Sequence, residues 1–305
     1  MGGALVGAMR LLMVLLAIGS CEAGAGLEEI GRRAGGLPER QALAGGGYVE
    51  ADTIYDRRGA VQFAGYAWAQ RYGRFGSPKA MAVSPDGRVA IVNGADSPSA
   101  CLCDRERGTG GSNDGAVVRI AFVEGRAVER ELYAHHGGEI AVAASPTTVA
   151  AVDGLTLRVW PASGDAAPVT VKLEAPALRT LAFAGERYLV GSRYVDLDHS
   201  ELVVLDRAAG WRPVSTISVG GYPRGLAIRP GGDAVAVAFD RYRATDRVLV
   251  DERRVAVFGL DGTLRAQVEL EGHPLGVAWA TASVLEVATS DTRAAEVIRF
   301  RYRTR

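Results

Sequence analysis

From Tyr48 onward, short apolar runs alternate with turns rich in Gly, Pro, Asp and Ser. The clearest stretch is Val219–Asp240 (VGGYPRGLAIRPGGDAVAVAFD), in which two apolar runs, Gly225–Ile228 and Ala234–Phe239, flank a turn at residues 229–233. Short apolar runs bounded by turn residues are typical of β-strands, and the body shows no helical period over three turns. The pattern therefore predicts an all-β fold.

The pattern of Val219–Asp240 recurs along the chain, more loosely at Gly76–Asp96 and Gly272–Asp291. Aligned copies begin near five residues: Ser77, Gly138, Ala177, Tyr222 and His273. Their intervals scatter around the ~40–45 residues of a four-stranded antiparallel propeller blade. Such units stack around an axis because none can bury both faces alone. We therefore predict a β-propeller with five countable repeats.

The last repeat has three evident strands, after which the chain ends. Ala60–Arg71, a strand-like stretch before the first repeat, has no blade of its own. We expect it to complete the final blade and close the ring, which removes exposed sheet edges. A sixth blade built partly from Tyr48–Tyr55 is the alternative.

Two stretches carry a family resemblance. Pro78–Asn93 (PKAMAVSPDGRVAIVN) and Pro223–Ala238 resemble the YVTN-type repeat of bacterial β-propellers, and Leu155–Trp160 and Arg254–Leu260 are similar to third strands of WD-repeat blades. The resemblance covers roughly residues 77–305 and implies the architecture. It implies no single activity, because propellers host scaffolds, hydrolases, lactonases and redox enzymes. The Ser-Pro-Asp-Gly turn at residues 84–87 is expected to be structural.

The N-terminus has the pattern of an export signal. Leu11–Ser20 is an apolar run of signal-peptide length, and Ile18–Cys21 resembles a bacterial lipobox. We expect residues 1–20 to be a signal peptide, Cys21 to carry lipid, residues 21–47 to be a flexible tether and residues 48–305 to form one propeller domain. The alternatives are plain secretion, with cleavage after residues 23–25, and a retained anchor.

Charge and cysteine content narrow the choice of partners. Basic and acidic residues number 35 each, which argues against a broad nucleic-acid-binding surface. Cys101 and Cys103 lie in an insertion and are the only cysteines besides Cys21. In an oxidising compartment they would form a disulfide. A soft-metal pair or a disulfide to a partner are the alternatives.

The resemblance also implies that loops entering the first strand and loops joining the second and third strands share one face around the axial channel. The candidate binding residues that this places on the face are His135, His136, Asp196, Asp198, His199, Tyr222, Asp240 and His273. Converging histidines and carboxylates suit a divalent metal or acid–base chemistry. The alternative is that long surface loops are simply polar, with His136 hydrogen-bonded for structural reasons.

Two functional hypotheses follow. The first is an exported, lipid-anchored, monomeric propeller in the cell envelope that binds a protein or small molecule at its axial face, with no cofactor. The second is a lactonase- or hydrolase-like periplasmic enzyme that uses loop histidines and aspartates with a metal. The sequence contains no Gly-x-Ser-x-Gly, phosphate-binding loop, His-Glu-x-x-His or dinucleotide motif.

Overall fold

The computed structural model describes residues 26–34, 40–50, 53–64, 78–95, 114–124, 126–136, 140–196, 199–245, 248–290 and 295–304. Within these ranges the regular elements are β-strands and one 3-10 turn, Arg207–Ala209. The strands form six four-stranded antiparallel sheets, and the chain is a β-propeller. The predicted fold class is confirmed. No helix of the described ranges is long and apolar enough to span a bilayer.

The first three blades follow one another along the chain after strand β1 (Gly26–Ala34). Blade 1 contains β2 (Arg40–Ala42), β3 (Tyr48–Glu50), β4 (Thr53–Tyr55) and β5 (Val61–Ala64). Blade 2 contains β6 (Pro78–Val83), β7 (Val89–Ala95), β8 (Asp114–Val123) and β9 (Arg126–His136). Blade 3 contains β10 (Ile140–Ala144), β11 (Thr148–Asp153), β12 (Thr156–Pro161) and β13 (Val169–Lys172).

The other three blades begin at or next to the predicted repeat starts Ala177, Tyr222 and His273. Blade 4 contains β14 (Leu178–Ala184), β15 (Tyr188–Asp196), β16 (His199–Asp206) and β17 (Arg212–Val219). Blade 5 contains β18 (Tyr222–Ile228), β19 (Ala234–Thr245), β20 (Val248–Gly259) and β21 (Leu264–Glu269). Blade 6 contains β22 (His273–Thr281), β23 (Val284–Ser290) and β24 (Ala295–Arg303), and β1 pairs with β24 as its fourth strand.

The core lies between consecutive blades. In β19, Ala234, Ala236 and Ala238 pack with residues of blade 6, whereas Val235 and Val237 pack with residues of blade 4. Both faces of the strand are therefore buried. Strands buried on both faces have continuous apolar sequences rather than alternating ones. The same kind of cluster joins blades 1 and 2, 2 and 3, and 3 and 4.

The turn at residues 84–87 has the expected structural role. Gly87 has φ of 68°, in the left-handed region that favours glycine, and its N–H donates to the Ser84 carbonyl at 2.8 Å. The Ser84 hydroxyl donates to the Asp86 carboxylate at 2.6 Å. The turn also contacts blade 1, because the Ala44 N–H donates to the Gly87 carbonyl at 3.0 Å.

The structure corrects two predictions about the N-terminal part. Val61–Ala64, within the stretch expected to complete the last blade, is instead the fourth strand of blade 1. The propeller has six blades rather than five, and Tyr48–Glu50 and Thr53–Tyr55 form part of the additional one, blade 1, as the sequence alternative proposed. Blade 6 is completed by Gly26–Ala34, so the expected flexible tether over 21–47 is wrong for those residues.

The physical reason is that β1 is an edge strand that pairs with β24 through its backbone and carries mostly polar or small side chains. Glu28 pairs with Arg303 at 2.6 Å, and Arg32 pairs with Glu296 at 3.2 Å. Of the two large apolar residues of β1, Leu27 packs against the described core cluster of blades 5 and 6, whereas Ile30 is exposed. A polar segment of this kind shows no apolar run, so it looks like a linker. The predicted signal peptide, Cys21 and the Cys101–Cys103 pair lie outside the described residues.

Candidate functional site

A pocket of about 660 Å³ opens where the first strands of blades 4, 5 and 6 begin. We call this region the axial mouth. It is lined by residues at the starts of β14, β18 and β22 and the ends of β15 and β23: Arg179, Thr180, Ser192, Tyr194, Tyr222, Pro223, Arg224, His273, Pro274, Leu275 and Ser290. No acidic residue is among these described lining residues.

The same backbone irregularity occurs at the start of four first strands. The pairing register shifts between Pro78 and Ala80, Leu178 and Thr180, Pro223 and Gly225, and Pro274 and Gly276. A β-bulge leaves one residue out of the ladder and re-aims it. The residues passed over are Lys79, Arg179, Arg224 and Leu275, so three of these four equivalent positions carry a basic residue.

The two arginines of the mouth lie over tyrosines. The guanidinium carbon of Arg179 is 6.0 Å from the centre of the Tyr194 ring, and that of Arg224 is 4.9 Å from the centre of the Tyr222 ring. The two rings are 5.6 Å apart and tilted by 59°. Cation–π contact favours a stacked guanidinium. Both arginines are nevertheless exposed to solvent.

Hydroxyl and imidazole groups supply the remaining polar atoms of the mouth. The Thr180 and Ser192 hydroxyls are 2.6 Å apart, and one of them donates to the other. His273 Nε2 lies 2.9 Å from Arg253 Nη2. Because arginine can only donate, His273 Nε2 must accept in this contact, which places the proton of a neutral imidazole on Nδ1.

The structure brings two of the predicted face residues together, Tyr222 and His273, in the lining of the mouth. Asp196, at the end of β15, pairs with His199, at the start of β16. The mouth residue Tyr194 lies two residues before Asp196 in β15. His199 Nε2 is 3.9 Å from a Glu201 carboxylate oxygen, and that carboxylate binds Arg193 at 2.6 Å. These residues form a separate charged cluster.

All seven predicted residues that the structure describes lie in strands rather than in the loops expected from the sequence. His135 and His136 end β9, the outer strand of blade 2. His135 is 4% exposed beside Tyr133, whose pKa burial raises to about 12. Asp240 belongs to β19 and pairs in register with Tyr222. β19 pairs with β20 from Asp240 as far as Thr245 and Val248, so Asp240 does not lie in a loop, whereas Asp198 lies outside the described residues.

In the described part of the chain, no group of three or more His, Cys, Asp and Glu side chains is arranged to hold a metal ion. The residues that sequence reasoning missed are Arg179, Arg224 and Tyr194. A signal for one of them was present: Gly-x-Pro is followed by Lys79, Arg224 and Leu275 in three repeats. The lead-in of blade 4 lacks this motif, so Arg179 becomes equivalent only through its bulge.

Comparison with known proteins supports the fold. The chain is similar to hydrazine synthase of Kuenenia stuttgartiensis, with a TM-score of 0.54 and 15% identity over 84% of this chain and 78% of that one. It is also similar to Raptor of Chaetomium thermophilum, with a TM-score of 0.53 and 14% identity over 93% of this chain and 29% of that one. The chain thus spans under a third of Raptor. Likeness at this identity shows the fold alone.

A third similar structure is the Cps50 (Swd1) β-propeller domain of Myceliophteria thermophila, with a TM-score of 0.48 and 13% identity over 89% of this chain and 98% of that one. No protein-family model matches the chain, and no curated protein matches it.

Proposed function

We propose that this propeller is a binding module whose ligand or partner docks at the axial mouth. The observation that carries the proposal is the pocket of about 660 Å³ that gathers two arginines, two tyrosines and a hydroxyl pair from neighbouring blades. Pockets of roughly 300–1,000 Å³ with a few convergent polar groups are typical of small-molecule sites. The side chains come from strands of a packed scaffold, which favours a preformed site.

A second feature supports docking of a protein partner at the same end. The β19–β20 ladder continues to Thr245 and Val248, whereas β18 pairs with β19 only as far as Asp240 and β21 pairs with β20 only as far as Arg254. Five further residue pairs, about 17 Å at ~3.4 Å per residue, therefore extend as a two-stranded arm. Its backbone edges suit strand addition by an extended peptide.

The pocket can be tested with a thermal-shift screen of small molecules. Compounds that raise the Tm of the wild-type protein should not do so in a Tyr194→Ala/Tyr222→Ala variant, because both rings of the pocket wall are removed. Tyr55→Ala is the control, since Tyr55 stacks on Tyr48 in blade 1. Hits that survive in the double variant would contradict the proposal. Mass spectrometry of the recovered compounds separates binding from turnover, and conversion of a hit would favour the enzyme hypothesis.

We also propose that the protein is exported and anchored through lipid at Cys21. β1 begins five residues after Cys21, at Gly26, which pairs with Arg303 at the end of blade 6 opposite the mouth. A tether this short would hold that end near the membrane and turn the mouth away from it. Cys21→Ala should move the protein from the membrane fraction to the soluble fraction. Unchanged fractionation would refute the anchor.

A further inference from the structure

We infer that the axial mouth recognises small organic carboxylates, with Arg179 and Arg224 as the anion-binding residues. This inference rests on the proposed function, because it names the ligand class of the same pocket. It depends on three observations: the basic residues at the bulge positions, the location of two guanidinium groups over tyrosine rings and the hydroxyl groups beside them.

The first observation is the occurrence of basic residues at the bulge positions of a chain whose formal net charge is zero. Basic residues hold three of the four bulge positions, and the described lining residues include two arginines and no carboxylate. In the described part of the chain, Arg179 has no carboxylate within salt-bridge distance. The pairing found elsewhere differs, since Arg187 binds Asp206 at 2.9 Å and Arg193 binds Glu201 at 2.6 Å.

The second observation concerns the direction of the donors. The guanidinium carbon lies over a tyrosine ring, 6.0 Å from its centre for Arg179 and 4.9 Å for Arg224. The N–H groups of a guanidinium lie in its plane, and this edge matches the two oxygens of a carboxylate. Contact with a ring also reduces the side-chain freedom that the arginine would lose on binding. The geometry therefore favours a planar oxyanion over a single-atom anion.

The third observation concerns the groups next to the charges. The Thr180–Ser192 pair uses one hydroxyl proton between its oxygens, so the second proton can be donated to a ligand. The Tyr194 and Tyr222 rings offer apolar surface for the body of the molecule. A pocket of about 660 Å³ can hold a small molecule of this type.

The test compares matched acids and amides. Binding of 4-hydroxybenzoate and 4-hydroxybenzamide, and of succinate and succinamide, is measured by calorimetry at constant ionic strength, with inorganic phosphate as a third probe. At least one carboxylate should bind ten-fold or more tightly than its amide and than phosphate. Charge-assisted hydrogen bonds contribute about 1.5–3 kcal/mol, so Arg179→Gln and Arg224→Gln should each weaken carboxylate binding about 10- to 100-fold.

Two further variants separate charge from geometry. Arg179→Lys keeps the charge and removes the forked donor, so it should bind with intermediate affinity. Arg207→Gln makes the same charge change in the exposed 3-10 turn at the opposite end of blade 4 and should leave affinity unchanged.

The outcomes distinguish this inference from the proposed function. Equal binding of acid and amide, lost in Tyr194→Ala/Tyr222→Ala, would leave the mouth a ligand site and overturn the carboxylate assignment. Phosphate binding as tight as that of the best carboxylate would also overturn it. Binding that no mouth variant alters, or no binding of any probe, overturns it as well.

Discussion

Two pockets of the propeller share strands β14 and β18 and differ in chemistry. The mouth is lined by arginine, tyrosine, histidine and hydroxyl side chains. A second pocket of about 420 Å³, which we call the lower channel, is lined mostly by apolar residues of first strands: Val49, Met81, Ala82, Val83, Pro85, Ala143, Ala144, Leu181, Ala182, Phe183 and Ile228. Strand β14 contributes Arg179 and Thr180 to the mouth and Leu181–Phe183 to the lower channel.

The change from polar to apolar lining follows the bulge, between Thr180 and Leu181. After Thr180 the register of β14 with β15 is regular, from Leu181 opposite Gly191 to Ala184 opposite Tyr188. In this regular part Leu181 and Phe183 pack against the core cluster of blades 3 and 4, and the Phe183 ring makes an edge contact with Trp211 at 5.9 Å. At the bulge, Arg179 is left out of the ladder. We therefore propose that the regular part of β14 provides stability and that its bulged part takes part in ligand recognition.

The largest effect on stability is expected for Phe183→Ala in the lower channel, which tests whether stability and ligand binding depend on different parts of β14. Large-to-small substitution of a buried aromatic residue costs about 3–5 kcal/mol, and we expect about 2–3 kcal/mol here because Phe183 is half-buried. Urea unfolding measures the loss, and Phe183→Leu should lose about 1 kcal/mol. Carboxylate affinity of the folded variant should stay within two-fold. A ten-fold loss of affinity would show that the two pockets are not separable.

A smaller effect is expected for Gly225→Ala, directly after the bulge of β18. An added Cβ would lie 3.0 Å from the Gly276 Cα and 3.0 Å from the Val277 nitrogen, so β18 and β22 must separate. Such overpacking costs about 1–3 kcal/mol, and it should also weaken binding because both strands line the mouth. Gly220→Ala is the matched control, since nothing lies within 4 Å of its added Cβ. Equal unfolding midpoints for the two variants would contradict the close approach.

Much of the fold could be predicted from sequence, because strands such as β11, β19 and β23 have runs that are buried on both faces. Ala234–Phe239 is apolar at every position for that reason, and it was placed correctly. The failures are strands with little to bury. β1 carries charged side chains that form exposed ion pairs such as Glu28–Arg303, and the strands of blade 1 are three or four residues long. Without apolar periodicity or length, such segments look like linkers.

The candidate site was less predictable. Tyr222 and His273 were found because they enter first strands, whereas His135 was placed in a loop although it is buried in β9. Arg179 and Arg224 were missed because both lie at β-bulges. The pattern of hydrophobic residues predicts the overall register of a strand but not the position of a single inserted residue. In the sequence, Arg224 after Pro223 is not distinguishable from any other exposed arginine. Only the strand pairing shows that Arg224 is the residue left out of the ladder.

The smallest effect is expected for a variant that adds positive charge to the mouth, and it tests whether the bulge positions bind anions. Leu275 holds the bulge position in blade 6, lines the mouth and is 55% exposed. Leu275→Arg should therefore fold with stability within about 0.5 kcal/mol of the wild type, since exposed substitutions away from packed features change little. A third arginine at an equivalent position should tighten carboxylate binding about two- to five-fold, because an exposed charge pair contributes up to about 1 kcal/mol. Leu275→Gln, of similar length and uncharged, should leave the affinity unchanged. The gain should shrink as salt is raised, because screening weakens exposed charges first. If Leu275→Arg and Leu275→Gln bind alike at low salt, the bulge positions do not act as one anion-binding set.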